Sequence, residues 1–145
     1  MMILPDINVL LYAYNPSAPA HVTAKRWWEA ALNSSELIGL PHEVIFGFIR
    51  IATHPNLGAA AVPLSKARAV VEGWLELPQV RVLVPADDHF KSVMKLMEQA
   101  NASGRVLSDA VLAAHAMAHR ATLCSNDSDF ARFEGLDWRN PLRGT

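Results

Sequence analysis

Short apolar runs alternate along the chain with longer stretches whose apolar positions recur at helical spacing, and this order predicts an α/β protein. Met2 to Pro5 reads as a strand that turns at Asp6 into a short helix through Val9 to Tyr14, stopped at Asn15-Pro16 because a residue before proline is pushed out of helical geometry. His21 to Asn33 has helical spacing, with Val22, Trp27, Ala30 and Ala31 on or near its apolar face, and Glu36 to Gly39 reads as a strand. Pro41 is placed to open a helix running to about Thr53, since the first helical position needs no N–H. After a loop with Gly58 and Pro63, Ser65 is expected to cap a helix reaching about Leu77, and Val80 to Val84 alternates as a strand. Asp87 or Asp88 starts the next helix, which Ser103-Gly104 ends; Ser108 to Arg120 is an alanine-rich helix, Ala121 to Ser125 a buried strand, and Leu136 to Asn140 a final edge strand. The β–α alternation predicts a mainly parallel central sheet with helices on both faces.

A chain of 145 residues fits one compact domain, expected to run from residue 1 to 145, and no internal repeat or low-complexity tract divides it. With 51% hydrophobic and 19% charged residues, extended disorder is excluded. Cys124 is the only cysteine, which excludes an intrachain disulfide framework, argues against thiolate-bound zinc and fits a cytoplasmic location. The N-terminal residues lack a basic region followed by a long apolar run, so no signal peptide is expected, and the apolar runs are too short to span a bilayer.

In open parallel sheets ligands sit beyond the carboxyl ends of the strands. Asp6 ends the first strand, Glu43 opens the helix after the second, Asp127 follows the strand Thr122-Leu123-Cys124-Ser125, and Asp109 lies in the first turn of the helix feeding that strand. Each has a structural explanation when taken singly: Asp6 could cap a helix, Glu43 and Asp109 could favour the positive ends of theirs, and Asp127 could make an Asx turn. The coincidence points further, because four carboxylates from distant parts of the chain projecting from one rim repel unless a cation keeps them ionised. An oxygen-only donor set suits Mg²⁺ or Mn²⁺, ions that retain waters and accept phosphate oxygens, so the chemistry indicated is phosphoryl transfer. Charge does not oppose this. The net charge is −1, but taking those four acids and Asp129 out of the 14 acidic residues leaves 9 against 13 basic ones, a surface able to meet phosphates.

The segment Ile3-Leu4-Pro5-Asp6-Ile7-Asn8-Val9-Leu10-Leu11-Tyr12-Ala13, the lone Glu43, the helix Ser108-Asp109-Ala110-Val111-Leu112-Ala113-Ala114 and the run Ser125-Asn126-Asp127-Ser128-Asp129-Phe130 resemble PIN-domain nucleases along essentially the whole chain. Within them the chain most resembles VapC-type toxins of bacterial toxin–antitoxin pairs, through Gly39-Leu40-Pro41, Gly47 to Thr53, Asp129-Phe130-Ala131-Arg132-Phe133 and Trp138-Arg139-Asn140-Pro141-Leu142. The resemblance implies a three-layer α/β/α sandwich, Mg²⁺- or Mn²⁺-dependent endoribonuclease activity on structured tRNA or rRNA loops, homodimerisation, and inhibition by a cognate VapB-like antitoxin. It makes Asp6 and Asp109 the first metal ligands, with Glu43 and Asp127 completing the set directly or through water. Asn8 would orient Asp6 or a bound water, and the Ser125 hydroxyl would hold a carboxylate or a phosphate. Asp129 would be a fifth ligand or the cap of the Phe130-Ala131-Arg132 turn.

Other candidates are weaker. His115 and His119 have a spacing that could hold zinc, but no third ligand is evident nearby. Cys124 reads as a core residue, and the four tryptophans as core or dimer contacts rather than base-stacking groups. The rival functions are an RNA-processing PIN nuclease outside a toxin–antitoxin pair, an acidic-pocket phosphoacceptor or phosphatase, and a non-catalytic binding module. A receiver domain needs adjacent acids after its first strand, and Asp6 stands alone there.

Overall fold

Strands covered on both faces require nearly continuous apolar sequence. β1 (Met2–Pro5), β2 (Leu37–Pro41) and β4 (Ala121–Cys124) supply it, and Leu4, Ile38, Leu40 and Leu123 are wholly buried. In the computed structural model, which describes residues 1–143, these strands form the centre of a five-stranded parallel sheet ordered β3-β2-β1-β4-β5. The edges are β3 (Val80–Leu83) and the two-residue β5 (Trp138–Arg139).

The chain steps outward from β1 to β3 through α1 (Ile7–Tyr14), α2 (His21–Leu32), α3 (His42–Ala52) and α4 (Leu64–Leu75); α1 packs on both α2 and α3, and α3 on α4. It then recrosses the sheet to β4 through α5 (His89–Gln99) and α6 (Leu107–Ala118), which pack together. Right-handed crossovers in opposite directions place these two groups of helices on opposite faces. The strand order reverses between β1 and β4, so a crevice opens above their carboxyl ends. Among the described residues no helix is long and apolar enough to cross a membrane.

Side-chain packing corrects several expectations. The buried face of α2 is Ala24, Trp28 and Ala31, while Val22 is 64% exposed and Ala30 faces solvent. Adjacent helical residues lie only about 100° apart, so the Trp27-Trp28 pair could turn either way. Trp28 is drawn inward by an edge-on contact with Trp74, their ring centroids 5.5 Å apart. Pro41 closes β2 rather than opening α3: with φ −72° and ψ 158° it pairs with Leu83 and serves as the helix's N-cap. Pro63, not Ser65, occupies the N-cap of α4, and the loop after α3 contains a 3₁₀ turn over Pro55–Ala60. Gly47 has a close-approach role, since a Cβ there would collide with Cδ1 of Ile7. Its bare backbone lets α3 lie against the residue that follows Asp6.

Candidate active site

Asp6 is fixed by its surroundings on both sides. Its backbone N–H donates to the Cys124 carbonyl at 2.8 Å, which ties the end of β1 to the end of β4. Its Oδ1 accepts from the Ile7 N–H at 2.7 Å, the N-cap bond of α1, and its Oδ2 accepts from the Ser125 hydroxyl at 2.7 Å. Ser125 is fully buried, and its Oγ also accepts from the Asp127 N–H at 3.0 Å and from Asn8 Nδ2 at 3.3 Å. Asn8 Oδ1 in turn accepts from the Asn126 N–H at 3.4 Å. Asp127 Oδ1 accepts from the Asp129 N–H at 2.9 Å and caps the 3₁₀ turn Ser128–Arg132. Asp127 therefore takes the capping place considered for Asp129, because an Asx turn reaches two residues forward. The Asp129 carboxylate instead stands 3.6 Å from Arg132 Nη2.

Electrostatics binds the aspartates into one unit. Burial raises the Asp6 carboxyl above its usual range, repulsion from Asp127 adds to this, and the bonds from Ser125 and Ile7 oppose it. Asp109, in the first turn of α6, is pushed up to about 6 by burial and by the charges of Asp127, Asp6 and Asp129, with Arg132 partly offsetting them. As placed, no three His, Cys, Asp or Glu side chains among the described residues close into a ready-made metal cage. The donor chemistry nevertheless fits a hard divalent cation: the ligands are carboxylate oxygens, and a positive charge among them would relieve the repulsion that raises Asp109.

Glu43 is held by a different partner. Although it lies in the first turn of α3 as expected, its Oε1 is directed to His115 Nε2 at 3.3 Å. His115 is buried, so it is not free to form an exposed zinc pair with His119. Burial also pushes the Cys124 thiol up to about 12, which leaves no thiolate nucleophile near neutral pH.

Proton linkage yields one expected result. The folded pKa of Asp109 is about 6 against an ordinary 3.8, so between these values the folded state binds more protons than the unfolded one. The Asp109 carboxyl thus becomes less destabilising as pH falls through 6 toward 4. His115, lowered chiefly by burial, acts in the opposite sense, so the comparison is between wild type and Asp109→Asn. Without added metal, thermal unfolding of the pair is expected to show a stability gap that narrows from pH 7.5 to pH 5; a gap constant with pH would contradict the assignment.

The family description for the PIN domain matches residues 3–136. The chain belongs to the PIN-domain family. Within it, Ribonuclease VapC33 of Mycobacterium tuberculosis is 39% identical over 142 residues, covering 98% of this chain and 99% of that protein. Ribonuclease VapC37 of the same organism is 34% identical over 140 residues, 97% of each. Among solved structures, VapBC2 from Rickettsia felis bound to a promoter DNA fragment contains a chain that superposes with a TM-score of 0.70 at 17% identity, covering 97% of this chain and 98% of that one. The sheet and its flanking helices are thus those of VapC-type PIN domains, and this chain is of the VapC ribonuclease kind.

In this PIN domain the structure gives a bracing role to two residues that the sequence placed only in an edge strand and a resembling run. Trp138 Nε1 donates to the Ser125 carbonyl at 3.1 Å, and Asn140 Nδ2 donates to Asn126 Oδ1 at 3.0 Å, so β5 and the turn after it brace the loop carrying Asp127. Their signal in the sequence is the Trp138-Arg139-Asn140 run, in which polar residues follow an aromatic one as suits a strand at a sheet edge.

Proposed function

We propose that this PIN domain, spanning residues 1–145 as one unit, is the toxin of a toxin–antitoxin pair. It is a Mg²⁺- or Mn²⁺-dependent endoribonuclease that hydrolyses phosphodiester bonds in structured tRNA or rRNA loops, acts in the cytoplasm as a homodimer, and is inhibited by a VapB-like antitoxin. The observation that carries this reading is the gathering of Asp6, Asp109 and Asp127 at the strand-order reversal, where burial first and their mutual repulsion second push Asp109 up to about 6. The names of the curated relatives support RNA as the substrate, and the VapBC neighbour supports a partner antitoxin.

Asp6 and Asp109 would hold the cation, with Asp127 and Glu43 joining directly or through water. When bound, such an ion supplies an activated water near neutral pH and neutralises charge on the phosphorane and the leaving oxygen. Ser125 fixes the Asp6 carboxylate through Oδ2, leaving Asp6 little rotational freedom to lose on binding. Asn8 and the Asp127 N–H hold Ser125 in turn. Arg132, positioned by its Nε–H bond to the Asp129 carbonyl at 3.1 Å, offers a guanidinium beside the cleft for a phosphate oxygen.

Purified protein is expected to cut total RNA at discrete positions with Mg²⁺ or Mn²⁺ and to stop when EDTA is added, as read by mapping 5′ ends. Cleavage undiminished by EDTA would defeat the metal mechanism. Co-expression with the product of an adjacent small open reading frame should relieve growth arrest if the antitoxin part is right.

A further inference from the structure

His115 is a polar group in an apolar place. It lies in α6 between the buried Ala114 and Ala116, is 1% exposed, and rests its ring against that of His89 with centroids 4.5 Å apart. Its Nε2 is sealed from solvent and lacks a well-aligned hydrogen-bond partner, an arrangement that proteins rarely keep without a use. The atom it faces is Glu43 Oε1, 3.3 Å away and off the N–H axis. Glu43 is 48% exposed, so a small side-chain rotation would align the two. The proton must sit on Nε2 in this pairing, because a bare nitrogen lone pair aimed at a carboxylate would be repelled. Among the described residues, Glu43 makes no other side-chain hydrogen bond or ion pair.

Glu43 and the aspartates are therefore held by different means. The aspartate loop is fixed by Ser125 and backbone amides, whereas the glutamate, on a longer and more mobile side chain, has only a buried imidazole from across the fold. We propose that His115 is a positioning residue that anchors the Glu43 carboxylate at the edge of the acidic cleft by donating from Nε2 to Oε1. The proposal rests on the nuclease reading for what Glu43 then does, and on the buried imidazole alone for how Glu43 is held. An anchored carboxylate enters the site with its rotamer already chosen; an unanchored one must lose that freedom each time.

The test uses the full chain in a double-mutant cycle of His115→Leu and Glu43→Gln, with His115→Gln as the variant that keeps an N–H donor. Two quantities are read: kcat and KM for Mn²⁺-supported RNA cleavage, and Mn²⁺ affinity measured without RNA from the electron paramagnetic resonance signal of the free ion. His115→Leu is expected to lower kcat about 10- to 100-fold and to weaken Mn²⁺ binding on the same scale, with KM little changed. His115→Gln should recover most of both, and His115→Leu should cost almost nothing further in the Glu43→Gln background. Equal losses in the two backgrounds, or a His115→Leu protein matching wild type in both readouts, would overturn the proposal. If His115→Leu does not fold, the longer and more pliable His115→Met takes its place in the cycle. Wild type that binds Mn²⁺ but cuts no RNA would sink the nuclease reading, while the affinity cycle still decides on His115; wild type that binds no Mn²⁺ would sink both.

Discussion

Asp109→Asn is expected to reduce RNA cleavage about a hundred- to a thousandfold and, in the same protein, to raise the melting temperature by about 2–4 °C. The two effects share one cause. Asp109 is a partly buried carboxylate facing the negative charges of Asp127, Asp6 and Asp129, and its elevated pKa of about 6 records how unfavourable that charge is in the folded state. Asparagine keeps the shape and removes the charge, so the fold is relieved of a repulsion while a cation loses a ligand. Trading stability for activity in this way is the ordinary cost of a charged site. Thermal unfolding and initial cleavage rates on one preparation check the pair of effects. A variant that keeps its activity would remove Asp109 from the site, and one that melts lower would mean that Asp109 serves the fold. Saturating Mg²⁺ should reverse the order of stability, because ligand binding favours the wild type alone.

The largest stability loss is expected at the aromatic centre beneath α1, α3 and α4. Trp74 is 2% exposed, and its ring lies 4.9 Å from Phe48, 5.5 Å from Trp28 and 5.8 Å from Tyr14, centroid to centroid. Its Nε1 also donates to the Tyr14 hydroxyl at 2.9 Å. Trp74→Ala leaves a cavity bordered by three rings and a tyrosine without its donor, and should cost about 3–5 kcal/mol, measured by urea unfolding. Loss of less than about 1 kcal/mol, the scale of an unremarkable surface change, would mean that the cluster does not hold these helices together. Cleavage by the folded fraction should be retained, since Trp74 lies away from the acidic rim.

The main architecture was legible because period and position agreed. The buried runs around Leu4, Ile38 and Leu123 became adjacent parallel strands, and Asp6, Asp109 and Asp127 lie near enough beyond their ends to act on one another's charge. Asp6 and Asp109 could be placed because both occupy helix starts fixed in register by the strands beside them. What failed to show was set by contacts between distant segments. Nothing local distinguishes Trp28 from Trp27, and the partner that chooses between them, Trp74, is far along the chain. His115 was legible only as half of an i, i+4 histidine pair. Helical spacing says that two residues share a face, but not that one of them is turned toward Glu43 on another helix. The turn of the Glu43 carboxylate toward His115 escaped for the same reason, since strand-end logic places a backbone and leaves a three-torsion side chain free.

Cys124 gives the sheet a use outside its chemistry. The sole thiol of the chain lies in β4, 4% exposed, beside the strand that ends in Asp6. It borders a surface hollow walled by Trp138 and Arg139, so a thiol reagent reaches it when the short edge strand β5 lifts away. The native protein thus carries a built-in clock for opening, and the rate at which its one sulfhydryl is captured, with and without a divalent ion, would time how often the strand that braces the Asp127 loop lets go.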